Sequence, residues 1–505
     1  MPITATQKPQ RGACCIRRAW WEGEGLIDGS FMGQSSALRG LARSHSMELG
    51  RIAEMRLKNR TLRAAKAIRP WSLMALPAMA LLAPVVGFSQ EVLQSIQTEA
   101  PLAGRGPSQT PQSINSTATA RNVTVQTRQR PDYDPAGIRL GGFRYDAALE
   151  AGMGYDDNLQ PNSPEDQSDG YFTQGVNVSA ASTWSRHALG LTASQETRQH
   201  LRYNDLNWLD YAIGLRGRYD IGRASSVNAS YRRVHSHLAV NNFELQSEGV
   251  NRPIPYDSDI FQIGGTAAFN RLSVSPTVSY TTLRYEEETI NGQRTNNSQN
   301  DYDSLLAEVE AGYSLVPGRS LLALVRLQDI TYQEAGQQNR DSFTWEVQGG
   351  FNYDLTGLWQ ARLLIGYRSR DYEEPGRKPL EGLAFEGQIT YLPTQLTTVT
   401  LAASRTIEES IRENSVSYTR TAGRLTVDHE LLRNVILTGE LRAEHREYPQ
   451  QGEVTDGIGL IGARYLINRN LSLVANYQHT ERLSAPNGFR EYGINQVQVR
   501  LRIAL

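Results

Sequence analysis

From residue 140 onward the chain runs in short stretches in which apolar and polar residues alternate. In YDAALEAGMGY, Tyr145, Ala147, Leu149, Ala151, Met153 and Tyr155 oppose Asp146, Ala148, Glu150 and Gly152. LDYAIGLRGRYDI sets Leu209, Tyr211, Ile213, Leu215, Tyr219 and Ile221 against Asp210, Arg216, Arg218 and Asp220. The final stretch, QVQVRLRIAL, puts Val497, Val499, Leu501, Ile503 and Leu505 on one parity and Gln496, Gln498, Arg500 and Arg502 on the other. Successive side chains of a strand point to opposite faces, so each run predicts a strand with one apolar and one polar face. About eighteen such runs occur, with no long helical pattern among them. The predicted architecture is all-β.

The links between runs alternate in length. Short ones fall at 185–187, 222–225, 270–271, 316–320, 356–357, 393–395, 431–434 and 468–470. Between them come mostly long polar ones, such as 236–256, 287–301, 373–380, 408–415 and 481–490. A soluble sandwich has no reason for this rhythm. A membrane barrel does, with tight turns at the periplasmic rim and longer loops outside. Just before seven of the eight short links an aromatic residue sits on the apolar parity: Trp184, Tyr219, Phe269, Tyr313, Tyr353, Tyr391 and Tyr465. Side by side they form a belt at one height, where amphipathic rings favour the lipid–water boundary. A less regular set, Tyr203, Tyr285, Tyr332, Tyr372 and Tyr448, is expected to form the outer belt.

Together these patterns predict a transmembrane antiparallel up-and-down β-barrel of about 18 strands, within a range of 16–18. The apolar parity then meets lipid, and closure removes the free edges of the sheet. The lumen-lining candidates on the other parity are Arg216, Arg218, Arg232, Glu308, Glu310, Glu346, Arg424, Glu440, Arg442, Arg464, Arg500 and Arg502. Their mixed signs predict either cross-strand ion pairs stiffening the wall or a polar track for a neutral or anionic solute. A barrel of this size is wide enough for a water-filled channel unless loops or a plug fill it.

Composition agrees with strands rather than helices as the membrane-crossing element. The chain is 39% hydrophobic and 21% charged, and its only long apolar stretch lies near the N-terminus, broken by Pro77 and Pro84. That stretch, from Trp71 to Phe88, follows a basic region (Arg56, Lys58, Arg60, Arg63, Lys66, Arg69), and Gly87 and Ser89 are small residues at the positions expected before a cut. It reads as the core of a secretory signal peptide spanning 47–89. Residues 1–46 carry no periodicity and read as an upstream extension from a mis-assigned start, with translation expected from Met47 or Met55. The first 89 residues hold 13 Lys and Arg and 5 Asp and Glu, so 39 basic and 48 acidic residues remain, a net charge of about −9. Lys378 is the one lysine among them, and no basic cluster reads as a nucleic-acid footprint.

Residues 90–139, rich in Gln, Ser, Thr, Pro and Ala, are expected to be a flexible periplasmic linker ahead of the barrel at 140–505. Cys14 and Cys15 are the only cysteines, so neither a disulfide framework nor a thiolate metal site is expected. His235 and His237 share a strand parity beside a long link, and His200 lies near Glu196. Two ligands without a third are weak ground for a metal site, and loop histidines are the simpler reading. No HExxH, GxSxG or phosphate-binding loop occurs. No catalytic residue, cofactor or metal is therefore expected.

RPDYDPAGIRLGGFRYDAALEAGMGYDDN (130–158), DLTGLW (354–359), YLPTQLTTVTLAASRTIEE (391–409), VDHELLRNVIL (427–437) and YLINRNLSLVANYQHTER (465–482) resemble the bacterial family called putative β-barrel porin 2. The resemblance runs from about residue 130 to the C-terminus. It implies a barrel in the outer membrane of a Gram-negative bacterium, lipid around it, and export of exopolysaccharide or capsular polysaccharide together with a periplasmic export protein. The final strand, ending at Leu505, fits the kind that barrel-assembly machinery reads. The alternative is a passive diffusion porin for small solutes, which needs an inward-folded constriction loop. The link at 236–256 is long enough to supply one.

Overall fold

The computed structural model describes residues 123–505 except 162, 164–166, 223, 248, 287, 291–292, 296, 335–338, 355–356 and 413–414. The expected upstream extension, the signal peptide and the first part of the linker lie outside the described residues.

Eighteen long strands make a closed antiparallel ring. A short β1 (Ile138–Leu140) leads into β2 (Phe143–Asp156), β3 (Asp169–Ser182), β4 (Ala188–His200) and β5 (Trp208–Ile221). Next come β6 (Ser225–Leu238), β7 (Ile254–Phe269) and β8 (Leu272–Tyr285), then a small loop hairpin of β9 (Glu288–Ile290) and β10 (Gln293–Thr295). The ring continues with β11 (Tyr302–Val316), β12 (Arg319–Tyr332), β13 (Ser342–Asp354), β14 (Trp359–Tyr372) and β15 (Leu380–Thr394). It ends with β16 (Thr397–Glu409), β17 (Ser417–Leu432), β18 (Val435–Tyr448), β19 (Gly452–Leu466), β20 (Leu471–Ser484) and β21 (Gly493–Ala504). Each strand pairs with its neighbour, and β21 closes on β2 from Ala148↔Ala504 to Asp156↔Gln496. Strand β2 overhangs that seam, and β1 folds back to pair Ile138–Leu140 with Phe143–Tyr145.

Every short link joins two neighbouring strands at one rim. In the two-residue link between β7 and β8, Asn270 takes φ 53°, a left-handed conformation that asparagine tolerates and a tight hairpin requires. Gly318 does the same between β11 and β12 (φ 81°), where a β-carbon would also come within 2.6 Å of the Asp354 carbonyl oxygen.

The apolar parity faces outward: Leu441 is 63% and Ile461 69% exposed, as a lipid-facing side chain is before lipid surrounds it. Phe269, Tyr219, Tyr313 and Tyr465 stand exposed on this face near the short links. The register Phe269↔Leu272↔Tyr313↔Leu321 puts the aromatic residues of neighbouring hairpins at one level. Trp184 sits edge-on against Phe143, and Tyr391 stacks at 4.0 Å on Trp359, a belt-level ring that the pattern before the turns does not pick out. Tyr353 is half-buried beside Arg319.

The expected outer belt is not where sequence spacing put it. Tyr285, Tyr332, Tyr372 and Tyr448 turn into the barrel; Tyr332 and Tyr448 are buried there. Their strands are about 14 residues long, roughly 45 Å of chain, against an apolar band about 25 Å tall. The outer ends therefore stand clear of lipid, and there the outward parity carries exposed charges such as Asp329, Asp371, Glu381 and Glu481. These tyrosines occupy the inward parity at that height.

Candidate functional site: the barrel lumen

The link between β6 and β7 bends at Asn241 and Asn242 and forms one short helix, α1 (Phe243–Ser247), inside the barrel. The Asn242 side chain accepts from the Glu244 backbone N–H at 3.0 Å, holding the first turn. Leu245, fully buried, stays with the root of the loop among Leu238, Ile254 and Tyr256. Phe243, also fully buried, reaches Tyr418, Tyr448 and Val454 of β17, β18 and β19, about halfway round the ring.

Polar contacts fix the loop to that far wall. The Glu244 carboxylate accepts from the Tyr448 hydroxyl at 2.5 Å, the Ser410 hydroxyl at 2.7 Å and the Ile411 backbone N–H at 2.8 Å. Arg482 donates to the Gln246 side-chain oxygen, and the Tyr492 hydroxyl donates to the Asn241 carbonyl at 3.0 Å. The Arg412 guanidinium lies over the rings of Phe243 and Tyr448 at 4.9 and 4.8 Å. A loop of small solvated residues would pay no such regard to the opposite wall; this one carries two anchors and a carboxylate aimed at it. Beside the loop a cavity of about 190 Å³ remains, lined by Arg198, Trp208 and His237 on one side and by Arg420, Arg442 and Tyr492 on the other.

Below and around the loop, the inward charges mostly pair across strands. Arg326 donates to Glu308 at 2.6 Å, to Glu346 at 3.0 Å and to Glu386 at 3.0 Å. The register Glu308↔Arg326↔Glu346↔Arg368 makes this a row of alternating sign, and Arg368 also binds Glu346. Glu310 accepts from Arg362 at 2.6 Å. A second group links Arg420 to Glu444 at 2.7 Å, Arg446 to Glu444 and Asp456 at 2.9 and 3.0 Å, and Arg482 to Asp456 at 2.8 Å. Near the seam, Arg500 meets Glu196 at 2.8 Å and Arg502 meets Glu150 at 2.7 Å. Several partners, Glu346 and Arg326 among them, are almost fully buried. Buried pairs of this kind offset their desolvation only when the geometry is good and further hydrogen bonds engage both partners, and each of the three Arg326 nitrogens donates to a carboxylate.

The remaining sequence-selected charges divide into two sets. Glu440 accepts from Arg442 at 2.6 Å, Arg218 pairs with Asp220 at 2.9 Å, and Arg424 and Arg464 are half-buried. Arg216 and Arg232 are exposed within the lumen. Their wall, from β3 to β8, carries mostly small inward side chains such as Thr192, Ser194, Gly214, Asn228 and Ser230.

The segment ahead of β1, expected as flexible linker through residue 139, makes defined contacts from Val125 onward. The Val125 backbone N–H donates to Thr398 at 2.9 Å, Gln126 donates to Asp428 at 2.6 Å, and Arg130 pairs with Glu430 at 2.7 Å. These partners lie on the inward face of β16 and β17, near the short links that precede β16 and follow β17, so the segment is tucked into the periplasmic mouth. A linker composition predicts little burial of its own; it does not report acceptors waiting on another wall.

The histidines do not converge. His235 stacks on Tyr211 and lies 3.0 Å from Asp257, whereas His237 lies 2.8 Å from Asp210 and stacks on Trp208. The β5–β6 ladder stops at Tyr211↔His235, while β6 stays paired with β7 through His237↔Pro255, and the two histidines take different partners. His235, Asp257 and Glu286 bring three ligand-type groups together, but Arg233 already pairs with Asp257 and Asp259 at 2.8 Å. Glu196 is bonded to Arg500, and His200 packs against Tyr171 instead.

The family described as putative beta-barrel porin 2 matches residues 130–505. No curated protein matches the chain. Among solved structures it is similar to OccAB3 of Acinetobacter baumannii, with 11% identity, 71% of this chain and 98% of that one covered, and a TM-score of 0.39. A BenF-like porin from Pseudomonas fluorescens gives 10% identity, the same coverage of both chains and a TM-score of 0.41. The outer membrane protein opdK of Pseudomonas aeruginosa gives 10% identity, 71% and 98% coverage, and 0.39. With a family match over the whole ring and a closed barrel belted for lipid, the chain belongs to the putative beta-barrel porin 2 family and resides in the outer membrane of a Gram-negative bacterium.

Proposed function

We propose that the protein is a passive diffusion channel for small solutes, constricted by its β6–β7 loop. The observation that carries this reading is the loop itself, latched through Glu244 to Tyr448 on the far wall. A chain of linked sugar rings needs an unobstructed lumen along its whole length, whereas a small solute needs only the space left beside the loop. The polysaccharide-export reading, with its periplasmic export protein, therefore has the weaker support. Lipid and the barrel-assembly machinery remain the partners that a strand-built membrane protein needs.

The test is uptake by proteoliposomes containing the full chain, using uncharged solutes of graded size. Monosaccharide-sized solutes should equilibrate, and oligosaccharides of several rings should be shut out. Free passage of long oligosaccharides, together with loss of surface polysaccharide in a deletion strain that the restored gene reverses, would favour export instead.

A further inference from the structure

The lumen is electrically lopsided. On the described strands every inward-facing acidic side chain is buried or half-buried, most of them held by arginine. Two inward-facing arginines, Arg216 and Arg232, are instead exposed, and among the described residues neither makes an ion pair. Register puts them together: Arg216 faces Ser230 across the β5–β6 ladder, and Arg232 lies two residues further along the same face of β6, opposite Gly214. Diagonal neighbours of this kind are within reach of one another's long side chains. Arg218, one step toward the short link, has its charge answered by Asp220. On the adjoining strand Arg216 faces Gly190, while the nearest inward carboxylate of that strand, Glu196, is six residues away and bound to Arg500. Six residues of strand are about 20 Å, well beyond the screening length at physiological salt.

Resting on the diffusion-channel reading above, we propose that Arg216 and Arg232 form the anion-contact point of the channel and give it a preference for small anions, carboxylates among them. Two guanidinium groups at diagonal positions on neighbouring strands offer the planar forks that carboxylates fit. The small side chains around them leave room for the solute. A charge that water reaches attracts a passing ion, whereas one already paired in the wall does not.

The full-length protein, inserted into planar lipid bilayers, tests this by its reversal potential under a potassium chloride gradient. The expected result is a sign showing chloride more permeant than potassium, with R216Q/R232Q lowering that ratio by about twofold or more. R216K/R232K should retain it, and R319Q, on the outward face, should leave it unchanged. A potential of zero or of cation sign in the unaltered protein would overturn the proposal, as would an unchanged ratio in R216Q/R232Q. No current from any variant would sink the diffusion-channel reading, and this proposal with it.

Discussion

Glu244 and Tyr448, 204 residues apart in sequence, meet across the barrel at 2.5 Å. The contact joins a loop rooted on β6 and β7 to a strand on the far side of the ring. It decides how much of the cross-section a solute can use.

Replacing Glu244 by alanine should loosen the latch without harming the ring. Three donors lose their common acceptor, and hydrogen bonds to a charged group contribute about 1.5–3 kcal/mol each. Single-channel recordings should show larger and more variable conductance, with Glu244→Gln intermediate. Conductance identical to that of the unaltered protein would mean the loop is held by its remaining contacts, through Phe243, Leu245, Gln246 and Asn241.

Arg326→Met should destabilise the barrel strongly. It removes the cation that Glu308, Glu346 and Glu386 share, leaving Glu346 to Arg368 and Glu386 to Arg362, and breaking a buried pair from one side costs about 3–5 kcal/mol. The temperature at which the barrel loses its compact mobility in detergent gels should fall clearly. Replacing Arg326, Arg368 and the three carboxylates together by apolar residues of similar volume should recover much of the loss.

On the outward face the sign of a charge matters less than its depth. Leu441→Arg places a cation against lipid, at a cost of about 2–4 kcal/mol near the bilayer midplane. Refolding into vesicles under a urea gradient should require less denaturant to fail. The same change at Glu481, exposed on the outward parity near the loops, should leave the gradient unmoved.

Arg130→Ala should free the segment in the periplasmic mouth. Glu430 keeps only Arg128, at 3.6 Å, as a charged partner. Limited proteolysis from the periplasmic side should then cut between residues 123 and 136 while the strands remain intact. Equal resistance in both proteins would show that Val125 and Gln126 suffice to hold it.

The ring itself was readable from period-two alternation and link length, because a strand buried on one face against lipid has no freedom to drift in register. What the alternation cannot give is the partner of each charge. Arg326 binds Glu386, which lies three strands away round the wall, and no spacing rule within one strand reaches that far. The inward loop was legible only as length: its anchors, Phe243 and Leu245, look like any short apolar pair until the opposite wall is present. The outer tyrosines escape the pattern for a plainer reason. Nearness to a loop does not fix a face, and Tyr332 and Tyr448 occupy the parity of their buried neighbours.

The division of the lumen into a packed wall and an open one also sets how the channel can change its cargo over generations. On β11–β18, a new charge must find a new partner at once, so single substitutions there are trapped by their neighbours. On β3–β8 the inward side chains are mostly small and, among the described residues, Arg216 and Arg232 make no ion pair, so one codon change alters what a solute meets while the scaffold stays indifferent. Half of the ring serves as a keel, and the other half is left free to be rewritten.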